Sequence, residues 1–124
     1  MRLSILLSAL IMSSNLMAGT IDCTLTVDAQ NHIVNRHCRV AHGPDNPDQF
    51  QDYYCSKDHM VNLCKDIQVQ PDKHLFIQMD GKSRFTANVG YVVGTEGQEC
   101  ARVVVDDNGY MVTIFPVTED NCNR

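Results

Sequence analysis

The chain has 124 residues with ten basic and fifteen acidic side chains, which gives a formal net charge of −5 at pH 7. An acidic surface keeps a small protein soluble and argues against broad, nonspecific binding to nucleic-acid backbones, although it leaves room for a local nucleotide site. The sequence contains no apolar stretch long enough to span a bilayer.

Residues 1–18 have the pattern of a cleaved secretory signal peptide. Arg2 supplies the basic start, residues 3–12 form a short apolar stretch, and the small residue Ala18 ends the segment. We therefore expect an exported chain that begins at Gly19, with residues 19–124 forming one domain. Removal of Arg2 leaves nine basic against fifteen acidic side chains, a net charge of −6.

Cysteines are the second strong feature of the sequence. An even number of them in a short exported chain predicts three disulfides, whose connectivity the spacing leaves open. Because a domain of this size has a thin core, we expect these crosslinks to be structural. In an oxidising compartment neither a nucleophilic nor a metal-binding role is expected of them, and no cofactor is predicted. The cysteines are Cys23, Cys38, Cys55, Cys64, Cys100 and Cys122.

The first half of the predicted domain is interpreted as a hairpin, a loop and a helix. The alternation in CTLTV and the turn-forming DAQN predict a hairpin over residues 21–40, and AHGPDNPD is a loop. Asn46 as N-cap, Pro47 at the first helical position and Gln49 three residues beyond the cap predict a helix that ends near Lys65. Its buried face is predicted to contain Phe50, Tyr53, Tyr54, Met60, Val61 and Cys64.

The second half is predicted to be an antiparallel sheet. Strands are expected at HLFIQM (74–79) and RFTANVGYVV (84–93), where Gly90 marks a possible bulge. A final hairpin has VVV and MVTIF as its strands and DDNG as its turn, and Pro116 marks the end of a strand or a sheet edge. The sum is a single α+β domain, with one main helix packed on an antiparallel sheet of three to five strands.

Residues 97–122 resemble the C-terminal hairpin of the small fungal guanyl-specific ribonucleases. ARVVVDDNGYMVTIFPVT aligns without a gap with the arginine-led strand, the turn and the return strand of that family, and a cysteine follows it. The resemblance implies a ribonuclease-like fold. The alternative is a ferredoxin-like split βαβ sandwich, as in killer toxins of similar size.

Carried over residue by residue, the resemblance does not imply an enzyme. Arg102 takes the place of the phosphate-stabilising arginine, but Val117 stands where the family has its general-acid histidine. The segment SRFTANV offers no carboxylate as general base. Since transesterification needs both groups, we predict no catalytic residue and a structural role for Arg102. If RNA cleavage were found, His74 and Glu99 would be the first candidates for the missing groups.

A Cys23–Cys122 disulfide is predicted from two considerations. The hairpin order and the ribonuclease resemblance bring the two chain ends alongside each other. The long loop that such a bond closes would remove the most conformational entropy from the unfolded chain.

The candidate interaction surface consists of Tyr53, Tyr54 and Arg102. The tyrosines most simply form the core and rim of the contact between helix and sheet, with partner binding as the functional alternative. CSKDHMVNLC does not have a zinc-binding spacing, so no metal site is predicted. His59 within that segment is interpreted as a partly exposed packing residue.

The whole profile resembles the small cysteine-rich secreted effectors of plant-pathogenic fungi, of the avirulence and secreted-in-xylem types. The signal peptide, the paired cysteines, the acidic charge and the missing catalytic set carry this resemblance. It implies a secreted, non-enzymatic virulence protein on a catalytically dead ribonuclease-like scaffold. Its partner would be a host plant protein or a second secreted effector, outside or inside host cells, and not a membrane or a nucleic acid. The alternative is a secreted ribonuclease or an antifungal, killer-type toxin.

Overall fold

The computed structural model describes residues 21–39 and 47–124, which form two α-helices and a four-stranded antiparallel sheet. The predicted signal peptide, its cleavage site before Gly19 and the predicted N-cap Asn46 lie outside the described residues. The α+β class is confirmed, but a second helix replaces the predicted N-terminal hairpin. In the described ranges no helix combines the length and apolar character needed to cross a bilayer.

Helix α1 spans Val27–His37, where the alternating pattern predicted a hairpin. Thr26 is its N-cap, and the Thr26 Oγ1 accepts a hydrogen bond of 3.2 Å from the backbone N–H of Ala29. Asp28 in the first turn and Arg36 in the last turn match the helix dipole. The hairpin prediction was wrong because the alternation belongs only to the extended segment before the cap, and DAQN lies inside the helix.

Helix α2 spans Lys57–Gln68 and follows a one-turn 3-10 helix over Asp52–Cys55. It therefore begins and ends later than predicted, and Pro47 and Gln49 lie outside it. Gln49 is buried instead, and its side chain joins the loop to the end of α1. Its Nε2 donates to the Arg36 carbonyl at 2.8 Å, and its Oε1 accepts from the backbone N–H of Arg39 at 2.9 Å.

The sheet is a meander in which each strand pairs with the next, in the order β1-β2-β3-β4. The strands are β1 His74–Ile77, β2 Ser83–Asn88, β3 Cys100–Val105 and β4 Met111–Val117. The predicted β3–β4 hairpin is confirmed, and in its turn the Asp106 Oδ1 accepts from the backbone N–H groups of Asn108 and Tyr110 at 2.9 and 3.0 Å. Strand β4 is a sheet edge, as Pro116 predicted.

The predicted bulge at Gly90 was wrong. Gly90 lies beyond β2, with a φ of 88°, and the register shift of the sheet occurs between Val104 and Val105 instead. The Asn88 Oδ1 accepts a hydrogen bond of 2.7 Å from the Gly90 backbone N–H, so the chain turns out of the sheet at this point. The second predicted strand is therefore shorter than expected.

The core lies between the helices and one face of the sheet. Alternate residues of the central strands point into it, while Arg102 and Val104 face the other side, because successive side chains of a strand point to opposite faces. The buried apolar core includes the following residues of the helices and the sheet: Ile33, Met60, Leu63, Cys64, Ile67, Phe85, Ala87, Ala101, Val103, Val105 and Ile114.

Three disulfides join Cys23 to Cys64, Cys38 to Cys55 and Cys100 to Cys122, and no cysteine is free. The predicted number of three disulfides is confirmed, but the predicted pairing of Cys23 with Cys122 was wrong. After β4 the chain forms a one-turn helix over Glu119–Asn121 and returns to the start of β3, where Cys100 pairs with Val117 in the ladder. Loop length governs how much a crosslink stabilises a fold, but it does not decide which cysteines meet.

Peptide mapping under non-reducing conditions should recover these three pairs. Replacement of both Cys23 and Cys64 by alanine should lower the free energy of unfolding by about 2–4 kcal/mol, because their bond closes a separation of 41 residues. Replacement of Cys100 and Cys122, which are 22 residues apart, should cost less. Urea unfolding measures both effects, and a recovered peptide that joins Cys23 to Cys122 would contradict this connectivity.

His37, the last residue of α1, is a buried titratable side chain with 4% of its surface exposed. Its ring stacks on Phe115 of β4 at a centroid distance of 4.8 Å, and its Nδ1 lies 3.0 Å from the Asp48 carbonyl oxygen. Burial lowers the pKa of His37 below 6.5, although the contacts with Asp48 act in the opposite direction. The fold therefore favours the neutral ring.

Acidification from about pH 7.5 to about pH 5 should reduce the free energy of unfolding. The unfolded chain takes up a proton on His37 near its ordinary pKa of 6.5, whereas the folded chain does so only at lower pH. The contribution is thus fully present above pH 6.5 and is lost as the pH falls toward the folded pKa. Urea unfolding at both pH values should show a smaller decrease for His37→Gln than for the wild type, and equal decreases would refute this role.

Candidate functional site

Arg102, the arginine of the predicted interaction surface, lies in β3 on the face of the sheet opposite to that of Ala101 and Val103. Its Nε donates a hydrogen bond of 2.9 Å to the Oγ1 of Thr86, which is directly opposite on β2. Its Nη2 donates to the backbone oxygens of Asn121 and Arg124, at 3.1 and 2.7 Å. Arg102 thus ties the segment after β4 to the sheet.

The electrostatic surroundings of Arg102 are also basic. Burial lowers the pKa of Arg102 to about 10, and the positive charge of Arg84 on the same face adds to the effect. Arg84 is itself held over the ring of Phe76, with 4.5 Å between its Cζ and the ring centre. With a pKa near 10 the guanidinium of Arg102 remains charged at neutral pH.

The residues that a nuclease mechanism would need do not converge on Arg102 within the described ranges. The ladder places His74 opposite Thr86, which is opposite Arg102, so the imidazole is two strands away. Glu99 comes directly before β3 and three positions before Arg102, so the alternation of the strand would place its side chain on the opposite side of the sheet. Val117, which the sequence resemblance aligned with the ribonuclease acid, pairs with Cys100.

Replacement of Arg102 by alanine should loosen the segment 118–124 and lower the free energy of unfolding by about 1–3 kcal/mol, because hydrogen bonds from a charged donor are lost, two of them partly buried. Hydrogen exchange at Asn121 and Cys122 and urea unfolding measure the two effects. Arg102→Lys should be intermediate, since an ammonium cannot reproduce the planar fork. RNA cleavage should equal that of a buffer blank before and after the change. Guanosine-selective cleavage that disappears in Arg102→Ala would reverse the structural interpretation.

The tyrosines of the predicted interaction surface line a separate pocket of about 280 Å³, which we call the aromatic pocket. Arg102 does not line it, so the structure does not bring the three predicted surface residues together. The pocket is formed by the 3-10 helix, by α2 and by the segment after β2. Its lining residues are Tyr53, Tyr54, His59, Asn62, Leu63, Asp66 and Tyr91.

Backbone pairing outside the sheet positions the 3-10 helix. Gln51 N–H donates to the Val93 carbonyl, and Thr95 N–H donates to the Gln49 carbonyl, both at 2.9 Å. Between these bonds Phe50 forms an isolated antiparallel bridge with Gly94. A Cβ at Gly94 would overlap the end of the Gln98 side chain, which would have to move to make room for it. The Cys38–Cys55 disulfide fixes the other end of the 3-10 helix to the end of α1.

Tyr53 is the exposed wall of the aromatic pocket, with 61% of its surface accessible. Its ring stacks on His59 at a centroid distance of 3.8 Å and an angle of 9°, and the His59 Nδ1 lies 2.6 Å from the Tyr53 carbonyl oxygen. Tyr54 meets Tyr53 edge to face at 4.9 Å. Both tyrosines lie in a 3-10 turn before α2, so the predicted burial was wrong for Tyr53, whereas Tyr54 is partly buried against the core. The packing interpretation of His59 agrees with its stacked position.

Tyr91 and Asp66 complete the aromatic pocket. The Tyr91 hydroxyl donates a hydrogen bond to the Oδ2 of Asp66, and the ring of Tyr91 is nearly parallel to that of Tyr54, 6.2 Å away. Burial, followed by this hydrogen bond and the charge of Asp66, raises the pKa of Tyr91 well above its usual value. Burial also raises the pKa of Tyr54, with smaller contributions from Tyr53 and Asp66. The pocket therefore disfavours additional negative charge.

Sequence reasoning missed Tyr91 and Asp66. Tyr91 was assigned to a strand, and the signal that could have corrected this is the Asn88-x-Gly90 turn, which directs the chain out of the sheet toward α2. Asp66 lies on α2 next to the buried Ile67, and nothing in the local pattern distinguishes it from a solvated carboxylate. Within residues 21–39 and 47–124 no group of three His, Cys, Asp or Glu side chains could hold a metal ion.

No protein-family model matches the chain, and no similar protein was found among curated proteins or solved structures. The resemblances to fungal ribonucleases and to secreted effectors therefore depend on the sequence features alone. What the structure defines is a small disulfide-stabilised α+β domain with an aromatic pocket.

Proposed function

We propose that the chain is an exported, non-enzymatic binding protein that engages another protein through the aromatic pocket. The observation that carries the proposal is Tyr53, whose ring is largely exposed and yet is stacked on His59. An aromatic ring that is already fixed offers a large contact area and loses little conformational entropy on binding. Tyrosine is also among the residues that most often dominate the energy of protein interfaces.

Export is supported by the signal-peptide pattern and by the three disulfides. The same bonds support a binding role. The Cys38–Cys55 bond anchors the 3-10 helix that carries Tyr53 and Tyr54, so the surface is preorganised before a partner arrives.

Within this proposal the protein belongs to the secreted virulence effectors of plant-pathogenic fungi, and its partner is a host plant protein or a second secreted effector. The scaffold is proposed to be ribonuclease-like and catalytically inactive. In support, Arg102 is engaged by Thr86 and by two backbone oxygens, which assigns its donors to structural contacts. The apolar Val117 stands where the resemblance would put the general-acid histidine.

Capture from plant tissue with the secreted wild-type protein as bait tests the binding role. A specific partner should be retained by the wild type and by Tyr110→Ala, and its recovery should fall at least about tenfold with Tyr53→Ala. Tyr110 is the matched control because it is an exposed tyrosine in the β3–β4 turn, away from the pocket. All three proteins should keep their disulfides and their thermal stability.

Two results would contradict the proposed function. Equal recovery with Tyr53→Ala and Tyr110→Ala would exclude the aromatic pocket as the binding surface. RNA cleavage or growth inhibition of other fungi by the purified protein, without any partner that depends on Tyr53, would favour the ribonuclease or killer-toxin alternative.

A further inference from the structure

Asp66 is a carboxylate without a cationic partner in the part of the chain that the structure describes. In that part Lys82 pairs with Asp80, and the His37 ring lies 3.5 Å from a carboxylate oxygen of Asp48, but no lysine or arginine nitrogen lies within 4.0 Å of Asp66. The residues that line the aromatic pocket likewise include neither lysine nor arginine. The negative charge of Asp66 is therefore left to be balanced by solvent or by a ligand.

The carboxylate of Asp66 is also held in a fixed position. The Tyr91 hydroxyl donates to its Oδ2, and α2 carries its backbone between the buried residues Leu63 and Ile67. Three tyrosines line the same cavity. Aromatic faces carry the negative part of the ring quadrupole, so rings together with a carboxylate form an environment that attracts organic cations.

The raised pKa values of Tyr54 and Tyr91 agree with this electrostatic picture, since Asp66 contributes to both of them. A charge that opposes ionisation of a phenol stabilises a cation in the same place. The net charge of −6 predicted for the exported chain would also favour the approach of a basic partner.

We infer that the aromatic pocket accepts an arginine or lysine side chain from the protein partner. The inference rests on the proposed function and extends it by naming the chemical group that enters the pocket. A cavity of about 280 Å³ can hold a guanidinium or ammonium group with part of its alkyl stem. A guanidinium can stack on a tyrosine ring while it donates to Asp66, and an ammonium can make the same two contacts as a compact charge.

Titrations of the purified protein with short capped peptides, followed by NMR, test the inference. The probes are Gly-Arg-Gly and Gly-Lys-Gly, and their neutral controls have citrulline or norleucine at the central position. At least one basic peptide should bind about tenfold more tightly than its neutral control, with shifts centred on Tyr53, Tyr54 and Tyr91. Choline serves as the free small cation, and tighter binding of choline than of either peptide would overturn the assignment to a protein side chain.

Asp66→Asn removes the charge but keeps an oxygen that can accept from Tyr91, so the preference for the basic peptide should disappear. Asp58→Asn is the matched control, because Asp58 is an exposed carboxylate on the same helix and does not line the pocket. Tyr53→Ala is a second variant at an exposed position, where folding is not at risk, and it should weaken binding of the basic peptides at least about threefold.

Equal binding of basic and neutral peptides would overturn the inference, and so would a preference that survives in Asp66→Asn. These failures are distinguishable from failure of the proposed function. If the captured partner depends on Tyr53 but is retained by Asp66→Asn, the pocket binds the partner by other chemistry and only the inference is lost. If the partner does not depend on Tyr53, the proposed function itself is wrong.

Discussion

The packing of α2 across the two central strands is the contact on which the other parts of the molecule depend. Met60, Leu63 and Ile67 are almost completely buried against the face of the sheet that carries Phe85 and Val103. Full burial of each such side chain stabilises a fold by about 1.5–3 kcal/mol. In a domain with so thin a core, this is a large part of the total free energy of unfolding. Two further features follow from the placement of α2. Its Cys64 is bonded to Cys23 and holds the N-terminal segment, and its Asp66 meets Tyr91 beyond the edge of the core.

The sheet was largely predictable from sequence because its determinants are local. Strand alternation, the DDNG turn and the edge position of Pro116 each depend on a few neighbouring residues, and all appear in the structure. The helical half was harder to predict. At Thr26 a capping signal follows directly on an alternating stretch, and the helix continues through residues that also favour turns. The start of α2 was misplaced because Pro47 and Gln49 imitate a helix start, whereas Gln49 serves to connect the loop to α1.

Only part of the candidate site could be predicted from the sequence, for a physical reason. The aromatic pocket is assembled from three segments that are distant in the chain, and their approach is set by the pairing of residues 49–51 with 93–95. No local pattern reports such a pairing. Tyr53 and Tyr54 could be named because the helical spacing placed them at the contact between helix and sheet, but Tyr91 and Asp66 could not. For Arg102 the side of the sheet followed from alternation, while its partners come from a segment whose return could not be foreseen.

The meander topology also bears on the order in which the molecule acquires its structure. Every pairing in the sheet joins consecutive strands, and the Cys100–Cys122 bond closes within the same stretch of chain. Short loops close at a lower entropic cost than long ones, so residues 74–122 can form a sheet with its own crosslink before either helix docks. The Cys23–Cys64 bond requires α2 and the N-terminal segment to be in place together. The cysteine that leaves the ribosome first would then be among the last to find its partner.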